Sequence, residues 1–195
     1  MHGGAVGQFS AVPLNFLGGE GAVADYIDSG FWSKRALAEA SKFGDVQTLA
    51  TFDGSLEAAQ WKEWGAAARP NAAYLHACMS ETVHGVELFS DPPADYKGPP
   101  VVLDATSTIL SRRFNVGAYG AIFASGGKNI PAGMAVVILD PKMLASTQQL
   151  KATPAVMEYR TNAGAVDSVF ESRPNTPPTF AVYAHGGGGG MEPIL

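Results

Sequence analysis

The chain has 195 residues, of which 46% are hydrophobic and 16% are charged, and its formal net charge is -5. This composition is typical of one folded domain with a real core, and it disfavours extensive disorder. The acidic balance and the scattered lysines and arginines also disfavour nucleic-acid binding.

Cysteine usage and hydropathy predict the compartment. Cys78 is the only cysteine, so no internal disulfide can form and a reducing compartment is expected. It lies in an apolar run and is expected to be a small core residue. No stretch approaches the roughly 20 apolar residues that a membrane helix needs, and the N-terminus lacks the pattern of a signal peptide. We therefore expect a cytoplasmic protein with no membrane partner.

The first part of the chain opens on a glycine turn at residues 3–7, which leads into a predicted helix over 8–17. A short strand is expected at 24–28. Apolar residues at three- and four-residue steps then predict an amphipathic helix over 34–43, and Gly44 supplies its end.

The middle of the chain alternates apolar runs with polar or helical segments. A partly helical connection is expected over 53–70, and Pro99-Pro100 announces one of the runs. The predicted strands are 46–52, 72–78, 101–104, the run that begins at Ala121, and 134–140. This alternation predicts an α/β domain with a mainly parallel sheet flanked by helices.

Beyond Pro141 the pattern loosens. The run 163–175 is polar and interrupted, and residues 179–183 fit the start of a helix or the end of a strand equally well. Five consecutive glycines at 186–190 predict a flexible, glycine-rich tail over 184–195.

Polar residues at strand ends suggest one site. Lys128 follows a strand and two glycines, at the sheet edge where open α/β folds bind ligands, and a partly desolvated lysine is the usual amine for Schiff-base chemistry. A solvated turn lysine has the same local pattern. Asp104 ends another strand, Trp32 and Thr82 follow others, and the turn at 3–7 opens a helix whose N–H groups suit a phosphate. An amine, a carboxylate, a flat side chain and a helix terminus are what pyridoxal phosphate needs.

Six segments in collinear order also carry a family resemblance. They are 2–17, 24–33, 81–87 (Glu-Thr-Val-His-Gly-Val-Glu), 104–112 (Asp-Ala-Thr-Ser-Thr-Ile-Leu-Ser-Arg), 128–129 (Lys-Asn) and 175–180 (Asn-Thr-Pro-Pro-Thr-Phe). Over about residues 2 to 183 the chain resembles the phosphoserine aminotransferases, which are class V aminotransferases of fold type I. The resemblance implies that the sheet belongs to the large domain of a pyridoxal-phosphate enzyme.

The resemblance implies roles around the cofactor ring. Lys128 would form the Schiff base with pyridoxal 5'-phosphate and later move the proton at the substrate's alpha carbon. Asp104 would pair with the pyridinium nitrogen. Trp32 would stack on the ring, and Thr82 would hydrogen-bond near the ring hydroxyl.

The resemblance also implies phosphate contacts and a partner. The backbone around Ala5 and Val6 and the hydroxyl of Thr106 would hold the cofactor phosphate. Asn175 and Thr176 would reach the cofactor of the neighbouring subunit in a homodimer. The implied reaction is amino transfer between glutamate and 3-phosphohydroxypyruvate, giving phosphoserine and 2-oxoglutarate in L-serine biosynthesis.

The chain departs from the family in ways that leave alternatives open. Gly127 stands where the family has a phosphate-binding glutamine, and the loop after Lys128 is one residue shorter. The family's N-terminal segment and C-terminal small domain have no counterpart, so we expect residues 1–183 to be a partial cofactor-binding domain. One alternative is a truncated non-catalytic fragment that at most binds cofactor or self-associates. Another class V aminotransferase or a desulfurase is disfavoured by the segment 175–178 and by the missing catalytic-loop cysteine.

Other polar residues receive structural interpretations. No group of His, Cys, Asp and Glu has metal-ligand spacing, so no metal site is predicted. The glycine turn at 3–7 lacks the Gly-Lys-Ser/Thr ending of a nucleotide-binding loop. His76 and His84 are expected to be structural, and Arg112 and Arg113 to be solvated or to face another subunit.

Overall fold

A computed structural model of the chain describes residues 1, 3–52, 59–164, 176 and 178–186. Its α-helices are α1 (Ala5–Phe16), α2 (Phe31–Ala40), α3 (Ala59–Ala67), α4 (Pro141–Ala145), α5 (Tyr159–Asn162) and α6 (Thr179–Gly186). Its strands are β1 (Val23–Asp28), β2 (Asp45–Thr51), β3 (Ala72–Cys78), β4 (Ser80–Glu81), β5 (Val86–Glu87), β6 (Val101–Asp104), β7 (Ala121–Ser125) and β8 (Ala135–Leu139).

Six strands form one sheet in the spatial order β2-β1-β3-β6-β7-β8. The first five are parallel to one another, and β8 pairs antiparallel with β7. Strands β4 and β5 form a separate antiparallel pair. The predicted α/β fold with a mainly parallel sheet is therefore confirmed.

Apolar clusters cover both faces of the sheet. On one face α1 and α2 pack through residues such as Phe9, Phe16 and Ala36. On the other face Trp61 and Trp64 of α3 belong to the second cluster. Every residue of β6 is buried, as expected for a central parallel strand covered on both sides.

Several element boundaries differ from the predictions. Helix α1 begins at Ala5, inside the predicted glycine turn, and α2 begins at Phe31 and ends at Ala40 instead of covering 34–43. The early start of α2 depends on a cap from a distant loop, which local spacing cannot reveal. Residues 179–183 belong to helix α6, which settles the choice left open there.

Several parts of the sequence predictions lie outside the described residues. They include residues 53–58 of the predicted connection, residues 165–174 of the polar run, Asn175, and residues 187–195 of the glycine-rich tail. Within the described part of the chain, no helix is long and apolar enough to cross a membrane.

Candidate active site

The carboxyl ends of the parallel strands meet the N-terminus of α1 around one cavity of about 280 Å³. Strands β3, β6 and β7 are adjacent in the sheet, so the loops that follow them are necessarily neighbours. Six of the residues singled out from the sequence line this cavity: Ala5, Val6, Trp32, Asp104, Thr106 and Lys128. Ligands of open α/β sheets bind at this edge.

The hydroxyl of Thr82 links the amine and the indole of the site. Lys128 Nζ donates to Thr82 Oγ1 at 3.2 Å, and Trp32 Nε1 donates to the same oxygen at 3.1 Å. Thr82 does not itself line the cavity, but it orients two side chains that do. Lys128 is exposed, so its amine is accessible.

Asp104 is a buried carboxylate at the end of β6. Only 4% of the residue is exposed, and its Oδ1 accepts a 3.0 Å hydrogen bond from the backbone N–H of Thr106. Burial raises the pKa of Asp104 from 3.8 to about 6, against the opposing effects of hydrogen bonds from Thr106 and of the positive charge on Lys128. A cationic partner in the cavity would favour the ionised form.

The N-terminus of α1 forms the polar corner of the cavity. Gly4 is the N-cap, no side chain of the described residues caps the helix, and its first turn carries no acidic residue. The N–H groups of Ala5 and Val6 have no acceptor within the helix, because the first N–H groups of a helix lie ahead of its carbonyls. Together with the helix dipole they make this corner suitable for an anion.

The loop that carries Lys128 is held by several hydrogen bonds. The N–H of Gly126 donates to Met134 O at 2.7 Å, and Asn129 Nδ2 donates to Ile109 O at 2.7 Å. A Cβ at Gly126 would lie 1.9 Å from Pro131 O, so the loop can close this tightly only with glycine there. The shortened loop therefore still presents Lys128 to the cavity.

A sequence profile decides the family. The profile described as Aminotransferase class-V matches residues 1–188 of the chain. The chain belongs to this family.

This class-V aminotransferase chain is similar to a narrower group of enzymes within the family. It is 40% identical over 197 residues to the phosphoserine aminotransferase of Nitrosomonas europaea, an alignment that covers 95% of this chain and 50% of that protein. The chain thus spans about half the length of the curated relative that it matches.

Solved structures give the same picture. Phosphoserine aminotransferase from Bacillus circulans subsp. alkalophilus superposes with a TM-score of 0.76 at 32% identity, covering 94% of this chain and 48% of the other. The PLP-bound phosphoserine aminotransferase from Trichomonas vaginalis superposes with a TM-score of 0.74 at 34% identity, covering 94% and 49%. This class-V aminotransferase chain therefore resembles one half of those enzymes.

Glu81 is a site residue that sequence reasoning missed. It is fully buried, and its Oε2 and Oε1 accept hydrogen bonds from the backbone N–H groups of Trp32 and Ser33 at 2.8 and 2.7 Å. The N–H of Phe31 donates to His84 Nδ1 at 3.4 Å. The only available signal was that Glu81 directly precedes Thr82, since the helix that it caps lies about fifty positions away.

The remaining predicted residues are placed as follows. Thr176 is exposed and lies outside the cavity lining, while Asn175 is not among the described residues. Cys78 is buried as expected and also lines the cavity, and burial raises the pKa of its thiol well above the usual value.

Arg112 was predicted to be solvated or to face another subunit, and its contacts within the chain contradict the first of these alternatives. Its Nε donates to Glu87 Oε1 at 3.0 Å, its guanidinium donates to Leu88 O at 2.6 Å, and it lies over the ring of Phe89. The reason is that β5 and the segment after it fold back onto the loop after β6. Arg113 is exposed. Among the described residues no group of three or more His, Cys, Asp or Glu side chains could hold a metal ion.

Proposed function

We propose that the chain binds pyridoxal 5'-phosphate and serves amino transfer between glutamate and 3-phosphohydroxypyruvate. The products are phosphoserine and 2-oxoglutarate, and the pathway is L-serine biosynthesis. The observation that carries this proposal is the convergence of Lys128, Asp104 and Trp32 on one cavity whose far corner is a helix N-terminus. The names of the relatives, one of them bound to PLP, support it.

The residues present fit this cofactor. The cavity offers one amine, one buried carboxylate, one flat aromatic side chain and a cluster of hydrogen-bond donors. The glycine at position 4 leaves the donor corner open, since a Cβ there would come within 2.9 Å of Ser125 Oγ. When bound, pyridoxal phosphate supplies an aldehyde for the amino group and a ring that delocalises the electrons left at the substrate's alpha carbon.

Lys128 is the residue that handles protons in this proposal. Its amine would attach the cofactor, and once released it would take the proton from the substrate's alpha carbon and pass it to the cofactor. Thr82, which accepts a hydrogen bond from Lys128 Nζ, holds this amine within the cavity. Without Lys128 the chain retains the cavity but loses both functions.

Asp104 and Trp32 hold the ring in this proposal. The carboxylate of Asp104 would pair with the ring nitrogen and keep it protonated, and this pairing would favour the ionised form of the buried acid. Trp32, which donates a hydrogen bond to Thr82, would supply the flat side chain for the ring. Thr82 would supply a hydroxyl for the ring hydroxyl.

A second copy of the chain is the proposed partner. Large apolar side chains are exposed at Val6, Phe31, Val83 and Phe89, and Val6 also lines the cavity. Exposed apolar side chains are available for association when they form a contiguous patch. We propose a homodimer in which Asn175 and Thr176 reach the partner's cofactor, and the single cysteine keeps the cytoplasm as the expected location.

The amino-transfer experiment uses the chain loaded with pyridoxal phosphate, with Lys128→Ala as control. Glutamate is added and 2-oxoglutarate is measured, then 3-phosphohydroxypyruvate is added and phosphoserine is measured. We expect both products from the wild-type chain and neither from the control. Alanine and cysteine are tested as donors in parallel, and their use in place of glutamate and phosphoserine would point to a different class-V reaction.

A non-catalytic role is the second candidate, because the chain spans about half the length of its relatives. In that case the chain binds the cofactor at Lys128, or only self-associates, without releasing 2-oxoglutarate. Sedimentation velocity with and without pyridoxal phosphate measures the association. Cofactor binding together with a dimer and no product would favour this candidate over turnover.

A further inference from the structure

Strand β8 is an edge of the six-stranded sheet, and within the described part of the chain it has a neighbouring strand, β7, on one side only. Its residues are all apolar; Ala135 is buried, and the four that follow it are partly exposed. An open edge strand presents unpaired N–H and C=O groups, and natural proteins usually protect it with a charged residue, a proline or a bulge. None of these occurs within β8.

Met1 shows that this edge accepts backbone pairing. Its ammonium group donates to Ala135 O at 2.9 Å, and the N–H of Ala135 donates to Met1 O at 2.9 Å. Two residues that exchange both hydrogen bonds in this way form one pair of an antiparallel ladder. No other described residue pairs with this side of β8, so the edge is open beyond Ala135.

The backbone groups at the open edge belong to alternate residues of β8. Ala135 faces outward, whereas residues of even number face β7, as the hydrogen bond from the N–H of Asp140 to Gly120 O shows. The alternation of an antiparallel ladder therefore turns the N–H and C=O groups of Val137 and Leu139 toward the open edge.

We propose that this edge pairs antiparallel with the same edge of a second copy of the chain. Val137 of each copy exchanges both hydrogen bonds with the partner's Leu139, about a two-fold axis at Ile138. Such an interface is self-complementary, as two-fold symmetry requires. Its register is fixed because Met1 occupies the edge at one end, and Pro141, which has no N–H, ends it at the other.

Charge complementarity favours a second copy over an unrelated strand. In this register the partner's Asp140 lies opposite Val136, directly beyond the ammonium group of Met1. Asp140 is exposed, and its carboxylate accepts a hydrogen bond from the N–H of Lys142. Burial lowers the pKa of the Met1 ammonium group, so a carboxylate beside it would stabilise the charged form.

This interface is separate from the homodimer proposed above. Strand β8 is the outermost strand of the sheet, and none of its residues is among those that line the cavity. The two interfaces together would produce assemblies larger than a dimer.

Position-specific disulfides test the register. Directly opposed residues of a non-hydrogen-bonded antiparallel pair have Cα atoms about 4.5 Å apart, a separation that suits a disulfide. Ile138 faces the partner's Ile138 in this way, whereas Val136 and the partner's Val136 are roughly 14 Å apart. Both side chains pack on the same face of the sheet, so the two positions are matched.

Under mild oxidation we expect Ile138→Cys to form a disulfide-linked dimer on non-reducing gel electrophoresis. We expect Val136→Cys to remain unlinked. The wild-type chain controls for Cys78, which is buried.

Loss of one outward donor tests the backbone pairing. Val137→Pro removes an N–H that faces the open edge and none that pairs with β7, and edge strands tolerate proline at such positions. Val137→Thr retains the N–H and the branched shape. We expect Val137→Pro to weaken self-association about tenfold or more, because each interface loses this donor twice, and Val137→Thr to leave it unchanged. Sedimentation equilibrium measures both, and near-UV circular dichroism confirms that each variant is folded.

Two outcomes would overturn the inference. One is a wild-type chain whose self-association is absent or is not weakened by Val137→Pro. The other is disulfide formation to the same extent, or not at all, in Ile138→Cys and Val136→Cys. Pyridoxal phosphate binding is measured separately, and neither outcome bears on it.

Discussion

Glu81 caps the helix that carries Trp32. Its Oε2 accepts a 2.8 Å hydrogen bond from the backbone N–H of Trp32, and its Oε1 accepts one of 2.7 Å from Ser33. The next residue along the chain, Thr82, binds the side chains of Trp32 and Lys128. One short segment after β3 therefore fixes both the helix and the two side chains that face the cavity.

Removing this cap is expected to destabilise the chain and weaken cofactor binding. Glu81→Ala leaves buried N–H groups without acceptors, so the free energy of unfolding should fall by about 2–4 kcal/mol. Glu81→Gln retains one acceptor and should lose about half as much. Urea unfolding measures the stability, and titration with pyridoxal phosphate measures the affinity.

The matched control for the cap is Glu39→Ala. Glu39 lies near the other end of the same helix, where it contacts Ser10 and Lys42 near the surface. Its removal should cost less than about 1 kcal/mol and leave the cofactor affinity unchanged. If Glu81→Ala and Glu39→Ala lose the same stability and the same affinity for pyridoxal phosphate, the Glu81 cap does not position Trp32.

Asp104 should make the cofactor-free chain less stable at neutral pH. Its pKa in the folded chain, about 6, exceeds its usual value of 3.8, so the folded state binds the proton more tightly than the unfolded state. Its contribution to stability is present below about pH 4 and is lost as the pH rises through 6. Asp104→Asn should therefore raise the free energy of unfolding at pH 7.5, by up to about 3 kcal/mol, while weakening pyridoxal phosphate binding.

Unfolding of Asp104→Asn and wild type at pH 4.5, 6 and 7.5 checks this sign. The stability difference should shrink toward pH 4.5. The exposed acid Glu20 provides the control, since Glu20→Gln should change stability by less than about 0.5 kcal/mol. A variant that is less stable than the wild type at pH 7.5, with no change in affinity, would contradict a cofactor-facing carboxylate.

His76 is expected to give the opposite pH dependence. The residue is 2% exposed, its ring stacks on Tyr26 with centroids 4.7 Å apart, and neither ring nitrogen has a hydrogen-bond partner among the described residues. Burial lowers the pKa of His76 from 6.5 to about 3. Because the unfolded state takes up the proton first, stability is lost as the pH falls below 6.5.

The variant His76→Leu removes this titration. The wild-type chain should lose about 2.5 kcal/mol from this group between pH 7 and pH 4.5, and the variant should not. Denaturant unfolding at these two pH values gives the comparison. If the free energy of unfolding falls equally in both chains between these pH values, either water reaches the imidazole in the folded state or the structure around it rearranges.

A buried ion pair at the amino ends of the strands allows the stability of the fold to be tested separately from the candidate site. Asp25 is fully buried, and Arg69 Nε donates to its Oδ1 at 2.8 Å. Arg69→Met should lower the free energy of unfolding by about 3–5 kcal/mol, because it leaves the carboxylate without its guanidinium. Asp25→Asn combined with Arg69→Met should regain most of this loss.

The cofactor affinity of folded Arg69→Met should equal that of the wild type, since the pair lies at the amino ends of the strands. Titration with pyridoxal phosphate at a temperature where the variant is folded tests this. A weakened affinity with intact near-UV circular dichroism would show that the pair is coupled to the cavity.

Sequence patterns predict the central strands well and the site's supports poorly. Strands β3 and β6 begin and end where predicted, because a short continuous apolar run bounded by turn residues is typical of a strand that is buried along its whole length. The start of α2 was missed because its cap, Glu81, is supplied from 48 positions away in the chain. A sequence pattern indicates only local periodicity, whereas the contact between Glu81 and α2 exists only after the sheet has formed.

The sequence likewise predicts some features of the candidate site and not others. Lys128 and Asp104 could be predicted because strand ends in a parallel sheet share one edge. The hydrogen bonds that Lys128 and Trp32 share at the Thr82 hydroxyl could not be predicted in this way, because the three residues lie in separate segments that meet only in the folded chain.

Lys128 is the residue through which we propose that this cavity attaches pyridoxal phosphate. The direct measurement is borohydride reduction of the chain with equimolar pyridoxal phosphate, followed by peptide mass spectrometry, on the wild type, Lys128→Ala and the surface control Lys142→Ala. We expect one phosphopyridoxyl group on Lys128 in the wild type and in Lys142→Ala, and none in Lys128→Ala. Equal labelling of all three chains, spread over the other lysines, would contradict it.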